Sequence, residues 1–170
     1  TILKPAAHAL VEENRPFTGI LYAGLILTAD GPKVIEFNAR FGDPETQVVL
    51  PRLKNDLTEV ITTLLSGKGI TLEWSSETVV GVVLASGGYP GAYKKGVPIA
   101  GLADLDDETL VFHAGTRYQG DQWLTNGGRI LLLARIAENI EEARQQVYRE
   151  IKNISCEQAF YRSDIGAKAK

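Results

Sequence analysis

The sequence of 170 residues contains only one cysteine, Cys156, and no long hydrophobic run. A single cysteine excludes an internal disulfide and is typical of a reducing compartment. The longest apolar run, Val79 to Ala85, is much shorter than the ~20 residues that a membrane-spanning helix requires. The first residues also lack the basic, apolar and small-residue succession of a secretory signal. We therefore predict a cytoplasmic protein with no membrane partner.

Basic residues are neither in excess nor clustered. The formal net charge is −3, and the 18 lysines and arginines are scattered along the chain. Nucleic-acid binding depends on grouped positive charges that neutralise phosphates, so we expect no nucleic-acid partner. Apolar residues make up 44% of the chain, which is enough for a hydrophobic core in one large domain or two small ones.

The chain also lacks a methionine at its start. It begins at Thr1, and the first ten residues, TILKPAAHAL, enter a helical pattern with no strand before them to pack on. We expect the chain to be a piece of a longer protein. Trimming during expression is the alternative explanation for the missing methionine.

The first 70 residues have the pattern of helices around two antiparallel strands. The turn ADGP separates two apolar segments, and its Asp-Gly pair favours a hairpin. Asp56 and Glu59 have the spacing of a capping box at a helix start. The predicted elements are a helix ending near Asn14, a strand at Gly19–Thr28 covered on both faces, a strand at Lys33–Ala39, a helix from Pro44 or Glu45, and a helix from Asp56 to Gly67.

The composition changes after the segment GKGITLEWSSE, which we interpret as a linker. The remainder is rich in β-branched residues and ends in an amphipathic pattern with a capping residue at Asn139. We predict strands at Thr78–Ser86, Thr109–Thr116 and Arg129–Ala137, a polar connection before the last of them, and a closing helix. The domain boundary is placed between residues 70 and 71.

The segment KVIEFNARFGDPETQ carries polar side chains on alternate positions of the second predicted strand. Residues two apart in a strand share a face, so Glu36 and Asn38 project together, opposite Ile35, Phe37 and Ala39. One carboxylate and one amide oxygen suit Mg²⁺, which completes its coordination with water and phosphate. Arg40 follows on the same side if the strand continues, and its guanidinium suits a phosphate or carboxylate.

The alternative interpretation of this pattern is a solvated sheet face. The preceding strand is apolar on both faces, which favours a cleft over open solvent as the surroundings of the polar face. Asp43 and Glu45 lie at the start of the next predicted helix, where acidic residues are stabilised by the helix dipole whatever the function.

Longer stretches of the sequence resemble one enzyme family. RFGDPETQ with Glu36 and Asn38 upstream, and then VVLASGGYPGAYKKG, VFHAGT, TNGGRIL and AFYRSDIG, are similar in order to segments of the phosphoribosylamine–glycine ligases, which are ATP-grasp enzymes of purine biosynthesis. The resemblance covers almost the whole chain. It implies an α+β fold: residues 1–70 form the C-terminal part of an ATP-grasp domain, with antiparallel strands and helices, and residues 71–170 form a β-rich, barrel-like domain with a terminal helix.

The resemblance also implies a reaction, in which ATP, glycine and 5-phosphoribosylamine give glycinamide ribonucleotide, ADP and phosphate through a glycyl phosphate. Glu36 and Asn38 match the metal ligands of the family, for Mg²⁺ or Mn²⁺. Arg40 is assigned the stabilisation of charge near the acyl phosphate. Asp43 holds Arg40 or the substrate amine, or is a helix-capping acid. We expect a monomer that binds these substrates only as part of the full-length enzyme, because the nucleotide-binding lysine and glycine-rich loop of the family have no counterpart here.

Arg129 follows two glycines in TNGGR, so the sequence allows close approach of its guanidinium to an anion. We predict a contact with the ribose phosphate, against the alternative of a hairpin turn with a surface arginine. Two other functions stay open at this point: another ATP-grasp ligase of purine synthesis, and a non-catalytic binding module that keeps the fold.

Overall fold

The computed structural model of the chain describes residues 1 to 168, which divide into two compact units. The first unit consists of Thr1–Thr46 and Leu57–Thr71, and the second of Gln47–Asp56 and the chain from Leu72 on. The segment Gln47–Asp56 belongs to the second unit because it pairs with the chain after Leu72, through an antiparallel bridge between Leu53 and Trp74.

The first unit contains two longer helices and a β-hairpin, in the predicted order. Gly31 and Gly67 have φ values of +95° and +73°, which glycine adopts more readily than other residues. Gly31 ends the hairpin turn, and Gly67 ends the last helix of this unit. Its elements are α1 at Leu3–Glu12, β1 at Tyr22–Thr28, β2 at Gly31–Asn38 and α3 at Leu57–Leu65. The four-residue helix α2 at Thr46–Val49 and a 3₁₀ turn at Leu50–Arg52 precede α3 in the chain and, apart from Thr46, belong to the second unit.

A β-bulge changes the register of the hairpin halfway along. Near the turn Thr28 pairs with Gly31, and Leu25 pairs with Val34. The register shifts between Gly24 and Leu25, so that Gly24 pairs with Glu36 and Tyr22 with Asn38. Directly opposed residues of an antiparallel pair share a face, so the bulge puts Tyr22 and Gly24 on the face of Glu36 and Asn38.

The two faces of the hairpin are more exposed than the sequence predicts. Leu27 is 83% exposed, Ile35 66% and Phe37 47%. The expectation that the first strand is covered on both sides, and that the face of Ile35 and Phe37 packs into a core, is therefore wrong for residues 1 to 168. A two-stranded sheet with apolar residues on both faces has more apolar surface than the helices of this unit cover.

The second unit contains two antiparallel sheets and one long helix. Three strands form one sheet in the order β3-β8-β5, and four form the other in the order β6-β7-β4-β9. The elements are β3 at Thr78–Ala85, β4 at Pro98–Ala100, β5 at Leu110–His113, β6 at Thr116–Gln119, β7 at Gln122–Thr125, β8 at Arg129–Ala137, α4 at Ile140–Glu150 and β9 at Ser155–Cys156.

The core of the second unit lies between α4 and the three-stranded sheet. Ala143 and Val147 of α4 are completely buried against apolar residues of β3 and β8 such as Val82 and Leu133. The predicted cap of α4 is confirmed, since the Asn139 side chain accepts a 2.9 Å hydrogen bond from the backbone N–H of Glu142. The predicted bounds of β8 are confirmed as well.

Two expectations for the second unit are corrected. The fold is mixed α/β with antiparallel sheets, as expected, but neither sheet is closed among residues 1 to 168, so a barrel-like domain is not supported. The predicted strand Thr109–Thr116 is divided between the two sheets, as β5 and β6. The division falls at Gly115, whose backbone packs directly on that of Gly127. The predicted polar connection after it is the β6–β7 hairpin.

A buried arginine fixes the loop before β5. Arg135 of β8 is only 6% exposed, and its guanidinium donates 2.8 Å hydrogen bonds to the carboxylates of Asp106 and Glu108. Glu150 of α4 accepts a 3.0 Å hydrogen bond from the backbone N–H of Asp106. The charge of Arg135 is thus compensated by ion pairs, as a buried charge requires.

Candidate functional site

The predicted metal ligands lie side by side at the end of β2. The Asn38 amide Nδ2 donates a 2.9 Å hydrogen bond to Glu36 Oε1, as expected for residues two apart on one strand face. The Glu36 side chain is exposed and Asn38 is partly buried. The two side chains therefore present neighbouring oxygen-bearing groups at one position on the surface of the first unit.

Gly24 leaves room for the Glu36 side chain. A Cβ atom built on Gly24 would lie 3.2 Å from Glu36 Cγ and 3.8 Å from its Oε1. Glu36 thus lies across the backbone of its partner on β1, at the residue where the bulge begins. The absence of a side chain at residue 24 allows the carboxylate to lie close to the hairpin.

Arg40 is positioned by a bend, because β2 ends at Asn38. Its Nη1 donates a 2.7 Å hydrogen bond to the backbone oxygen of the next residue, Phe41. This guanidinium is also close enough to lower the pKa of the Tyr22 hydroxyl, against the larger effects that raise it. Arg40 therefore lies at the same end of the hairpin as Tyr22 and its partner Asn38.

Tyr22 of β1 also belongs to this end of the hairpin, although nothing in the sequence singles it out. Burial, and after it the neighbouring carboxylates of Glu45 and Glu36, raise the pKa of the Tyr22 hydroxyl. A Cβ atom built on Gly42 would lie 2.6 Å from Glu45 Oε2, so the carboxylate occupies the space next to that glycine. The pairing of Tyr22 with Asn38 could have been found only with knowledge of the bulge.

Asp43 lies between these groups in the chain, before the cis peptide bond that joins it to Pro44. It is exposed and makes polar interactions within the chain. It precedes the first residue of α2, Thr46, by three positions, so both interpretations of its role stay open.

Arg129 belongs to the second unit, where it begins β8. The two glycines before it are explained by packing: a side chain at Gly128 would collide with the Tyr89 ring, and Gly127 faces the Gly115 backbone. Ser86 reinforces this contact by donating a 2.8 Å hydrogen bond from its hydroxyl to the Gly127 oxygen. The glycines therefore no longer indicate close approach of an anion to Arg129.

Two other kinds of site are absent from residues 1 to 168. Residues 1 to 168 contain no group of three or more histidine, cysteine or acidic side chains arranged to hold a metal ion. In the same range, no helix has the length and apolar character needed to cross a membrane.

Comparison with known proteins gives two family matches along the chain. Residues 79–168 match the C domain of phosphoribosylglycinamide synthetase, and residues 1–46 match its ATP-grasp (A) domain. The first match covers most of the second unit, including its two sheets and α4. The second match covers the hairpin with Glu36, Asn38 and Arg40.

Curated relatives carry the name phosphoribosylamine–glycine ligase. The chain is 61% identical to the protein of Halalkalibacterium halodurans over 168 residues, and 50% identical to that of Caldanaerobacter subterraneus over the same number. These alignments cover 99% and 98% of the chain but 39% and 40% of the relatives. The chain thus spans about two fifths of their length.

Solved structures agree with these matches. The phosphoribosylamine–glycine ligase of Thermotoga maritima superposes with a TM-score of 0.81 and 34% identity, over 93% of this chain and 39% of that one. N5-carboxyaminoimidazole ribonucleotide synthetase from the same organism gives a TM-score of 0.56 at 17% identity, over 91% of this chain and 41% of that one, which indicates a shared fold.

Proposed function

Because the chain belongs to the phosphoribosylglycinamide synthetase family, we propose that it is part of an ATP-dependent ligase that joins glycine to 5-phosphoribosylamine. The products are glycinamide ribonucleotide, ADP and phosphate, in de novo purine biosynthesis. The observation that supports this most directly is the match of residues 79–168 to the C domain of the family. The relatives that carry the ligase name are more than twice as long, so we assign the activity to a full-length protein and expect the chain alone to be inactive.

The domain boundary at residues 70 and 71 remains part of this proposal. Residues 1–70 are assigned to the end of the ATP-grasp domain and residues 71–170 to the C-terminal domain. The boundary lies after the end of α3. It also lies between the two family matches, one of which ends at residue 46 while the other begins at residue 79. It differs from the division into compact units in one segment, Gln47–Asp56. The boundary assigns this segment to the ATP-grasp domain, whereas the segment packs with the second unit.

We assign Glu36 and Asn38 to an Mg²⁺ or Mn²⁺ ion. The donor set fits such an ion, because a carboxylate and an amide lie 2.9 Å apart at an exposed position, with room for water and phosphate ligands. The amide must present its oxygen in place of the nitrogen that now contacts Glu36, which requires a half-turn of the amide group. When bound, the ion would neutralise charge on the phosphates of ATP.

Arg40 is assigned to the negative charge of the acyl phosphate formed from glycine and ATP. A guanidinium suits this task because it stays protonated and can donate two parallel hydrogen bonds to phosphate oxygens. Its present bond to the Phe41 oxygen uses Nη1 and leaves Nη2 and Nε for a substrate. We assign Asp43 to hold Arg40 or to bind the substrate amine. We assign Arg129 to bind the ribose phosphate, because a guanidinium is well suited to bind a phosphate.

The attack step requires the amine of 5-phosphoribosylamine to reach the carbonyl carbon of the acyl phosphate. The residues at this end of the hairpin contribute by holding the acyl group in place and by stabilising charge, which is the main contribution of proteins to phosphoryl and acyl transfer. ATP, glycine and 5-phosphoribosylamine are thus the proposed small-molecule partners. We also propose that the full-length protein is a monomer and is located in the cytoplasm. The single cysteine supports the location, because few cysteines are typical of proteins in a reducing compartment.

The test is an assay of the full-length protein that contains this chain. ADP formation should require glycine, 5-phosphoribosylamine and a divalent cation together, and glycinamide ribonucleotide should appear in equal amount. Size-exclusion chromatography of the same preparation gives the oligomeric state. ADP formation that does not depend on glycine would contradict the proposed ligase.

A further inference from the structure

The turn that precedes Arg129 is held by the loop that follows β3. The Ser86 backbone N–H donates a 2.8 Å hydrogen bond to the Gly128 oxygen, and the Ser86 hydroxyl donates another of 2.8 Å to the Gly127 oxygen. Ser86 itself is only 5% exposed, so these bonds are shielded from water. The turn is therefore held at two successive carbonyl groups.

Tyr89 packs on the same turn with its ring. The ring occupies the space in which a Cβ atom of residue 128 would lie, so that an alanine there would collide with it. The Tyr89 N–H donates a 3.0 Å hydrogen bond to the Ser86 oxygen, and the Tyr93 ring lies 6.3 Å from the Tyr89 ring. Tyr89 is nevertheless 36% exposed and lies outside the hydrophobic core of the unit. Its ring is thus placed on the turn rather than in the core.

Contacts of this kind decide the conformation of a turn that contains two glycines. Glycine has no Cβ atom and adopts many backbone conformations, so the pair Gly127–Gly128 does not select one by itself. Arg129 comes directly after the pair and begins β8, where its backbone oxygen accepts a 2.8 Å hydrogen bond from the Gly115 N–H. The contacts of Ser86 and Tyr89 therefore set the direction in which the chain enters β8, and the Arg129 side chain projects from that point.

We propose that Tyr89 is a positioning residue for the ribose phosphate of 5-phosphoribosylamine and that it acts through Arg129. Its ring holds the Gly127–Gly128 turn in the conformation from which the Arg129 guanidinium reaches the phosphate. The ring has this role and the hydroxyl does not, because ring carbons make the contact with the turn. This inference rests on the proposed function, in which Arg129 binds the phosphate.

The experiment uses the full-length protein. The probe is glycinamide ribonucleotide, the proposed product, which carries the same ribose phosphate as the substrate. Calorimetry gives the Kd for this probe, and the activity assay gives the KM values for ATP and for glycine. Melting temperatures show which variants are folded.

Five variants are compared with the wild type. Tyr89→Leu removes the ring, Tyr89→Phe keeps the ring without the hydroxyl, and Arg129→Gln removes the guanidinium. A double variant combines Tyr89→Leu with Arg129→Gln. Tyr118→Leu is the matched control, because the exposed Tyr118 ring packs on Trp123 of β7.

We expect Arg129→Gln to raise the Kd by at least about 10-fold, the usual effect of losing a hydrogen bond to a charged group. Tyr89→Leu should raise it by about 3- to 10-fold, while the KM values for ATP and glycine change less than about 2-fold. Tyr89→Phe and Tyr118→Leu should bind the probe as the wild type does. The double variant should bind no more weakly than Arg129→Gln, because two residues that act through one contact are not additive.

Ser86→Ala affects the same turn without removing a ring. It deletes the hydroxyl that donates to the Gly127 oxygen and leaves the backbone hydrogen bond to Gly128. We expect the Kd to rise by about 2- to 10-fold, the range for a neutral hydrogen bond, again with unchanged KM values for ATP and glycine. This variant tests the role of the turn if Tyr89→Leu does not fold.

Four results would overturn the inference. A wild-type Kd in folded Tyr89→Leu, or in Ser86→Ala where Tyr89→Leu does not fold, would show that the turn needs no such support. A wild-type Kd in Arg129→Gln would exclude the residue through which Tyr89 acts. Multiplied effects in the double variant would show that Tyr89 acts independently of Arg129. A parallel rise in the Kd and in both KM values would show a general structural role.

Failure of the proposed function is distinct from all four results, because the wild-type protein would then form no glycinamide ribonucleotide from ATP, glycine and 5-phosphoribosylamine.

Discussion

The amide of Asn38 donates a 2.9 Å hydrogen bond to the carboxylate of Glu36, two residues earlier on β2. Each side chain thereby fixes the other next to the point where the strand ends. A carboxylate oxygen is strongly solvated in water, and an exposed pair of this kind contributes little to stability. Its carboxylate and amide oxygens at one exposed position, rather than its strength, make it a candidate metal site.

The first prediction concerns Glu36→Gln in the full-length protein. The substitution keeps the size of the side chain and removes the charge that would hold the cation, so we expect activity at a fixed metal concentration to fall by more than about 10-fold. The melting temperature should stay within about 2 °C of the wild type, because Glu36 is exposed. Activity is measured as ADP formation over a titration with Mg²⁺ or Mn²⁺.

Glu13→Gln, which removes an exposed carboxylate just after α1, is the control and should behave as the wild type. A large drop in melting temperature with an unchanged metal titration would show that Glu36 has a structural role.

The residues of this site could be predicted from the sequence only in part. The alternation of Glu36, Asn38 and Arg40 along one segment was visible, because side-chain direction in a strand follows from spacing alone. The contribution of β1 was not. A hairpin without the bulge would continue the pairing of Leu25 with Val34 and would oppose Tyr22 to Phe37, on the other face. A one-residue shift moves every side chain of a strand to the opposite face, and nothing in the sequence near Gly24 specifies it.

The second prediction concerns Gly24→Ala. A Cβ atom at this residue would lie 3.2 Å from Glu36 Cγ, which is tight enough to displace the Glu36 side chain by a few tenths of an ångström. We expect the metal concentration for half-maximal activity to rise by about 2- to 10-fold while the protein stays folded, since outer contacts of a metal site affect affinity less than its ligands do. The measurement is the same metal titration, accompanied by circular dichroism.

Gly69→Ala is the matched control, because a Cβ atom at Gly69 would meet nothing within 4 Å. Equal metal requirements for Gly24→Ala and Gly69→Ala would contradict the proposed role of Gly24.

The second unit shows which elements a sequence specifies locally. The α4 helix was predicted because its cap, its apolar spacing and its acidic first turn all lie within the helix. The hairpin of β6 and β7 was missed, because its strands are four residues long and carry polar residues such as Gln119 and Gln122. β7 also pairs with β4, which lies more than twenty residues before it in the chain, and such a non-local partner is not visible in a local pattern.

The third prediction concerns the cap of α4. Asn139→Ala removes the side-chain oxygen that accepts the Glu142 N–H, so we expect the free energy of unfolding to fall by about 1 kcal/mol. Asn139→Asp should restore most of this loss, since aspartate caps helices as well as asparagine. The measurement is urea unfolding of the chain, followed by circular dichroism. Equal losses in both variants would show that the cap hydrogen bond does not stabilise the helix.

The fourth prediction concerns the pH dependence of stability at Asp106. Its hydrogen bond with the Arg135 guanidinium, 2.8 Å long, lowers the pKa of this carboxyl in the folded state. A carboxyl whose pKa is lower when folded stabilises the fold above its unfolded pKa of about 3.9, and this contribution is lost as the pH falls through the folded pKa. Asp106→Asn removes the contribution and leaves the buried Arg135 with fewer negative partners.

We therefore expect Asp106→Asn to be less stable than the wild type near pH 7, with a difference that shrinks as the pH falls below about 4. The measurement is urea unfolding of both proteins at a series of pH values. Asp107→Asn is the control, because Asp107 is exposed and is not a partner of Arg135. The free energy of unfolding of Asp107→Asn should differ little from that of the wild type, and this difference should not shrink as the pH falls. A difference for Asp106→Asn that is constant from pH 7 to pH 3 would show that the carboxylate acts without its charge.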